Sequence, residues 1–290
     1  MLKNRSYAVG YAHYDNNLGY DPRNYKFTMI PNGLNYWVAD PFPIEVNGEL
    51  YIFGEMYEYS SLKGSICYSK KTENGFGKWV KIIEEPYHLS FPYIFQRNGC
   101  YYICPEARQS KQLYLYRCLS FPDVWERERT ICEDFDYVDT VFVNANKDII
   151  GLTCKWKNLN EHSLKMFMFN EDKDKIEFSM DKLNTLEFYF TRPAGKVFNT
   201  SDNKMILVSQ ICKPLYGSGL IFKRIQVDFP KYSEMELFKV YPNEISSNIH
   251  RRIDGIHTYN YSPNYIVIDL LWSRFNICEK AYRIKHKFRK

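Results

Sequence analysis

The sequence predicts an all-β chain folded as a five-bladed β-propeller with about four antiparallel strands per blade. Three observations point there. Long stretches of helical periodicity are scarce. Short Val, Ile, Tyr and Phe runs, punctuated by Asn, Gly, Asp and Pro, fill the chain instead. One strand–turn–strand unit then returns five times, as blades built from a repeated sheet require.

The first unit opens on Asp40, turns at Asn47-Gly48 and ends its second strand on Glu55. The second runs from Phe91 to Glu106, with Pro92 in the place of Pro41 and a turn at Asn98-Gly99. A third spans Asp139 to Thr153. The fourth opens at Arg192 and returns, after a longer turn through Asp202-Asn203, along Met205 to Gln210. The fifth runs from His257 to Asp269. Starts at 40, 91, 139, 192 and 257 give steps of 51, 48, 53 and 65 residues. Further strands at Ser65 to Ser69, Leu113 to Arg117, Leu164 to Phe169 and Leu220 to Arg224, with outer strands near Trp79 and Trp125, bring each unit to about four. The 290 residues, 45% of them hydrophobic, suffice for one domain over 1–290. An irregular pair of β-sandwiches is the rival arrangement.

Composition narrows the function. Net charge is +5 with basic and acidic residues interspersed, so nucleic acid is not indicated. Aromatic residues reach 17%, which serves strands and cores and also suits surfaces that stack on sugar rings. The eight cysteines, several of them inside apolar strand runs, show no paired CxxC spacing and read as buried reduced thiols with no metal site. The opening residues lack an apolar h-region and no window approaches a membrane span, which points to a soluble cytoplasmic chain with no cofactor. The basic segment 280–290, where Tyr282, Ile284 and Phe288 alternate with Lys and Arg, reads as a solvated edge strand or frayed tail, or as a contact with an anionic surface.

Blades packed around an axis bring the starts of all inner strands to one end of the channel. Asp40, Phe91, Asp139, Arg192 and His257 therefore converge. Glu55, Glu106, Gln210 and Asp269, on the neighbouring strands, form a second ring. Pro41 keeps the backbone extended beside Asp40 without needing a ladder donor. Asp40 and Asp139 are a candidate acid–base pair for glycosidic chemistry, Arg192 a candidate clamp for a phosphate or sugar carboxylate, and His257 and His88 candidate proton carriers or hydroxyl ligands. The competing reading is structural: Asp40 accepts a turn hydrogen bond and Asp139 pairs with Arg192.

At Ala39-Asp40-Pro41 the chain resembles the five-bladed propeller clan that includes glycoside hydrolase families 43, 32, 68 and 130. The segments Tyr87–Pro92, Cys104–Ala107, Phe121–Trp125, Val138–Thr140, Arg192–Gly195 and Gln210–Cys212 through Tyr216-Gly217 resemble one group within it. That group is the propeller found at the N-terminus of plant glucosamine inositolphosphorylceramide transferases and in bacterial proteins of surface-polysaccharide loci. The resemblance covers roughly residues 35 to 270. It implies Asp40 as base or nucleophile and Asp139 as the residue that orients and tunes. The clan's acid is a Glu at the position held here by Arg192, a departure that speaks against ordinary hydrolysis and leaves Glu106 or His257 to supply a proton. Some clan members hold Ca2+ in the channel. In the plant proteins glycosyl transfer is attributed to a separate C-terminal domain.

The expectation is a carbohydrate-active propeller that recognises, and acts on, a charged or phosphate-linked sugar in cell-surface glycan assembly. Asp40, Asp139, Glu106 and His257 are its catalytic candidates, and Arg192, His88, Glu55, Gln210, Tyr216 and Asp269 its substrate-binding candidates. The alternatives are a glycan-binding module serving a partner glycosyltransferase, and a protein-interaction propeller.

Overall fold

The computed structural model describes residues 4–145, 148–158, 161–180, 183–274 and 277–287. Five sheets are arranged as the five blades of a propeller. The first blade is built from Tyr36–Val46, Glu49–Glu58 and Lys63–Thr72, with Gly75–Phe76 and Val80–Ile83 both paired to the third strand. Ser90–Arg97, Cys100–Glu106, Leu113–Ser120 and Val124–Cys132 form the second, and Val138–Ala145, Asp148–Asn158, Glu161–Asn170 and Lys175–Phe178 the third. The fourth holds Phe198–Asn199, Met205–Ile211, Gly219–Asp228 and Lys231–Val240.

The fifth blade closes the ring with both ends of the described chain. Tyr259–Tyr261 and Tyr265–Arg274 supply its inner strands, and Asn4–His13 pairs antiparallel along the whole of the second, from Asn4 opposite Arg274 to His13 opposite Tyr265. Lys26–Met29 and Ser246–Ser247 complete it. The repeat period shows nothing of this closure, because its partners lie at opposite ends of the sequence.

Apolar seams between neighbouring blades hold the ring together. Phe42 of the first blade meets Phe91 of the second edge to face at 4.8 Å, and Tyr93 meets Phe142 of the third at 5.0 Å. Between the fourth and fifth blades, buried Ile206, Val208 and Phe222 face Tyr259 and Ile268. Each such side chain contributes about 1.5–3 kcal/mol on burial.

The strand openings are not simply extended. Ladder register shifts between Ala39 and Phe42, between Ser90 and Tyr93, and between Val138 and Val141. In each bulge the opening residue takes a left-handed backbone: φ is 49° at Asp40, 46° at Phe91 and 51° at Asp139. The extended conformation expected at Asp40 is therefore corrected. Such a turn frees the backbone N–H from the ladder, and each is caught by a carboxylate: Asp40 N–H by Asp269 at 3.1 Å, Phe91 N–H by Asp40 at 3.2 Å and Asp139 N–H by Glu106 at 3.3 Å. Carboxylates are thus needed to fold this end of the channel, whatever else they do.

In the fourth blade the inner strand is interrupted. Only an isolated bridge, Pro193 opposite Ser209, joins it to the next strand before Phe198. A Cβ at Gly195 would overlap the Tyr259 carbonyl oxygen of the fifth blade, so the chain passes there as glycine.

The C-terminal segment is a helix, Ile277–Lys287, not the edge strand or frayed tail expected. Ile277, Ala281 and Ile284 follow a 3.6-residue period, and the alternation read from Tyr282 and Ile284 is a coincidence of that spacing. Phe288 lies outside the described residues. No described helix is long and apolar enough to cross a membrane. Of the described thiols, Cys67, Cys104, Cys154 and Cys212 are buried, while Cys100, Cys118 and Cys132 are only half-buried; all are free.

Candidate functional site

The ten sequence-predicted residues gather at one end of the propeller, with the bulges turning Asp40 and Asp139 toward the rest. Asp40 and Asp269 form the first half of the cluster. Asp269, fully buried on the fifth blade, accepts the backbone N–H groups of His257 and Thr258 at 3.1 and 3.0 Å. The His257 ring lies between the two carboxylates, Nδ1 at 2.8 Å from Asp269 and Nε2 at 3.3 Å from Asp40. The first is an ionic contact rather than an aligned hydrogen bond. Asp40 also accepts the Thr258 hydroxyl at 2.8 Å. Burial pulls the His257 pKa down, but Asp269 and Asp40 outweigh it and the net shift is upward. His257 is thereby favoured as an imidazolium facing both partners. Burial raises Asp40, with Asp269 and Asp139 adding to the rise against His257.

Arg192, Asp139 and Glu106 form the second half. The Arg192 guanidinium pairs with Asp139 through Nε, and approaches Glu106 Oε2 at 3.9 Å. Its carbon lies 4.8 Å from the Trp156 ring centre and 4.9 Å from that of Tyr216. Gln210 reaches Asp139 at 3.4 Å through Nε2, while its Oε1 is buried without a described partner. Burial, followed by the Asp139 charge, pushes the Glu106 carboxyl up to about 8 against the pull of Arg192. At neutral pH the protonated form of Glu106 is therefore favoured. Tyr216, raised well above its ordinary value by burial, packs edge to face on His257 at 5.2 Å and so joins the halves.

Glu55 and His88 flank the cluster. His88 Nδ1 accepts the Gly64 N–H at 3.0 Å, which leaves Nε2 to carry a proton toward Glu55 at 3.3 Å. Burial, then Lys63, lowers the His88 pKa, consistent with a neutral ring. Burial, then Asp40, raises Glu55 well above the carboxylate range.

Apart from Tyr216, sequence reasoning missed the aromatic fringe. Trp37 stacks on Tyr57 at 4.7 Å and 9°, and Tyr7 bridges Trp37 and His257 at 5.3 and 4.6 Å. Trp37, Tyr57, Trp156 and Tyr216 remain half-exposed, a set of faces suited to sugar rings. Their signal was position: Trp37 stands three residues before Asp40, and Trp156 two after Cys154 near the end of its strand. Thr258 was missed beside His257.

Asp40, His257 and Asp269 each offer one ligand atom, all within 4.8 Å of one another. The set does not fit Ca2+, which takes about six to eight oxygens. Here both ring nitrogens already face the two carboxylates, and the imidazolium supplies the positive charge. Chemically, the mouth combines carboxyls, of which Glu55 and Glu106 are shifted toward the protonated form, with two cations and aromatic faces. An open cleft at the outer edge of the fourth blade, lined by Met205, Arg224, Lys231 and Tyr232 among others, shares none of these residues.

Three solved structures share this fold. An α-L-arabinofuranosidase of Podospora anserina aligns with a TM-score of 0.57 at 11% identity, over 77% of this chain and 76% of that one. A family 62 α-L-arabinofuranosidase of Coprinopsis cinerea gives 0.59 at 9% identity, over 80% and 90%. The family 43 enzyme of Xanthomonas citri solved with xylotriose gives 0.56 at 9%, over 83% and 88%. Among sequences, glucosamine inositolphosphorylceramide transferase 1 of Arabidopsis thaliana is 34% identical over 220 residues, 69% of this chain. The corresponding protein of Oryza sativa subsp. indica is 31% identical over 100 residues. The chain spans 27% and 13% of the lengths of these two relatives. Residues 30–257 match the family model described as glucosamine inositolphosphorylceramide transferase 1, N-terminal, and the chain belongs to that family.

Proposed function

We propose that the channel mouth binds a charged sugar of cell-surface glycan assembly and transfers a proton to it, working beside a glycosyltransferase in the same or a separate chain. The observation that carries this reading is Glu106, a carboxyl with 15% of its side chain exposed that lies against the Asp139–Arg192 pair and is pushed up to about 8 chiefly by loss of solvent. A proton held at neutral pH is what a leaving oxygen needs. Glu106 protonates that oxygen, and Asp40 takes the proton of the attacking water or hydroxyl.

The charge balance favours one kind of sugar. With Glu55 and Glu106 both shifted toward the protonated form, Asp40, Asp139 and Asp269 face Arg192 and His257 among the described residues, and Arg192 is already engaged by Asp139. The centre thus suits an ammonium-bearing sugar better than a phosphate, and the relatives' printed name includes glucosamine. A phosphate in the same substrate would lie outward, toward the exposed basic residues of the rim.

A second reading, recognition without turnover, is favoured by Asp40 itself: Phe91 N–H, the Thr258 hydroxyl and His257 already occupy its oxygens. Wild type, Asp40→Asn and Glu106→Gln should be screened against nucleotide sugars, phosphosugars and oligosaccharides, with mass spectrometry reading products. Turnover lost in both variants, with binding retained, supports the acid–base reading. Binding in all three proteins with turnover in none selects the recognition module, and no binding at all rejects both.

A further inference from the structure

The end of the propeller that carries the site also carries exposed apolar side chains. Leu34, on the loop entering the first blade, is 88% exposed; Leu215, in the turn that carries Tyr216, is 53%; and Phe188, just before Arg192, is 43%. The fold puts all three at the mouth. Asn35 accepts the Tyr59 N–H beside the turn after Glu58, and Phe188 packs on His162, which is bonded to Thr191.

Cations surround them. Lys213, Arg251 and Arg252 are exposed on neighbouring loops, the Arg252 side chain at 92%. The helix Ile277–Lys287 follows Arg274, beyond the level of Asp269 on the same strand, and so starts from this end; it shows Ile284, Lys280 and Lys285 to solvent. Two acids on these loops are engaged: Glu187 receives the Tyr189 hydroxyl, and Asp254 takes the Ser273 N–H and faces Arg252 at 3.5 Å.

We propose that this rim seats on an anionic lipid surface, with Leu34 and Leu215 entering the headgroup boundary and Lys213, Arg251 and Arg252 lying on lipid phosphates. Leucines that stand out singly on separate loops among cations match interfacial insertion. The channel mouth then opens onto the headgroup layer, where a lipid-borne substrate is reached without leaving the membrane. This inference stands whether or not the site turns a sugar over.

The test is co-sedimentation of the full chain with phosphatidylcholine vesicles, with and without phosphatidylserine. Binding is expected only with the anionic lipid, falling about tenfold or more in Leu34→Ser/Leu215→Ser and in Arg251→Ser/Arg252→Ser, and falling in high salt. Leu119→Ser/Val124→Ser, exposed on the outer strands of the second blade at 57% and 48%, should bind as wild type. Circular dichroism checks that each variant folds. Sugar binding measured without vesicles keeps this result separate from that of the site. Absence of anionic-vesicle binding, or equal loss in the Leu119/Val124 variant, overturns the proposal. So does a dimer, seen by light scattering, that Leu34→Ser/Leu215→Ser dissolves, since the rim would then serve a second copy of the chain.

Discussion

Arg192, which opens the fourth blade, is locked onto Asp139, which opens the third, with the rings of Trp156 and Tyr216 close to its guanidinium. The pair does what the structural reading of the sequence expects, and it also sets the electrostatics of the mouth. Beside it, loss of solvent and the Asp139 charge together outweigh the pull of Arg192 on Glu106, and raise its carboxyl.

Removing one partner of this pair should be costly. The two side chains are 11% and 3% exposed, so Arg192→Met leaves the Asp139 carboxylate buried without its counter-charge. We expect a loss of about 3–5 kcal/mol in urea unfolding. Arg192→Met/Asp139→Asn should recover part of that loss, because the stranded charge is gone. A double variant as unstable as the sum of both singles would show the two residues to be energetically independent.

Glu106 makes stability depend on pH in a stated direction. Its carboxyl is raised to about 8 in the folded protein and titrates near 4.3 when unfolded. Between those values the folded state binds more protons than the unfolded one, so stability falls as pH rises through the window and levels off above it. Glu106→Gln, which keeps the shape without the titration, should flatten that fall and make the variant relatively more stable at about pH 9 than at about pH 5. Urea midpoints for both proteins at the two pH values decide it; parallel profiles would show that Glu106 ionises normally.

Much of this arrangement is legible in the sequence because the blade unit repeats with its turn. Asp40-Pro41 and Phe91-Pro92, each followed by Asn-Gly, give the inner strands, their direction and the convergence of Asp40, Asp139, Arg192 and His257. What stays hidden depends on pairing across distance. Asn4–His13 carries no part of the repeat unit, yet it closes the fifth blade against Tyr265–Arg274. The left-handed turns at Asp40, Phe91 and Asp139 are equally silent, because Asp tolerates that conformation and Phe91 is forced into it by its neighbours. The sandwich of His257 between Asp40 and Asp269 needs the ring closed, and no local spacing encodes it.

Gly195 tests how tightly the fourth and fifth blades meet. Its Cβ position is filled by the Tyr259 carbonyl oxygen and by Asn260, whose side chain in turn accepts the Lys196 N–H at 2.7 Å and donates to the Pro41 carbonyl at 2.8 Å. A backbone obstacle cannot rotate away as a side chain would. Gly195→Ala should therefore cost about 1–3 kcal/mol or more, read as a lower urea midpoint, and weaken ligand binding by shifting Arg192. An unchanged midpoint would mean that the inner strands separate easily at this level.

His257 should behave oppositely to a surface histidine. Its pKa is raised above the ordinary value because Asp269 and Asp40 outweigh burial. A group raised in the folded state contributes its full stabilisation below the unfolded pKa, near 6.5, and loses it as pH climbs through the folded value. His257→Gln should therefore destabilise more at about pH 6 than at about pH 9, and NMR of the wild-type imidazole should find it titrating above a free imidazole. Since Asp40 and Asp269 would then face each other without a cation between them, Asp40→Asn should partly rescue His257→Gln at the lower pH. An equal cost at both pH values, with no rescue, would show that His257 is held neutral and acts by packing against Tyr7 and Tyr216.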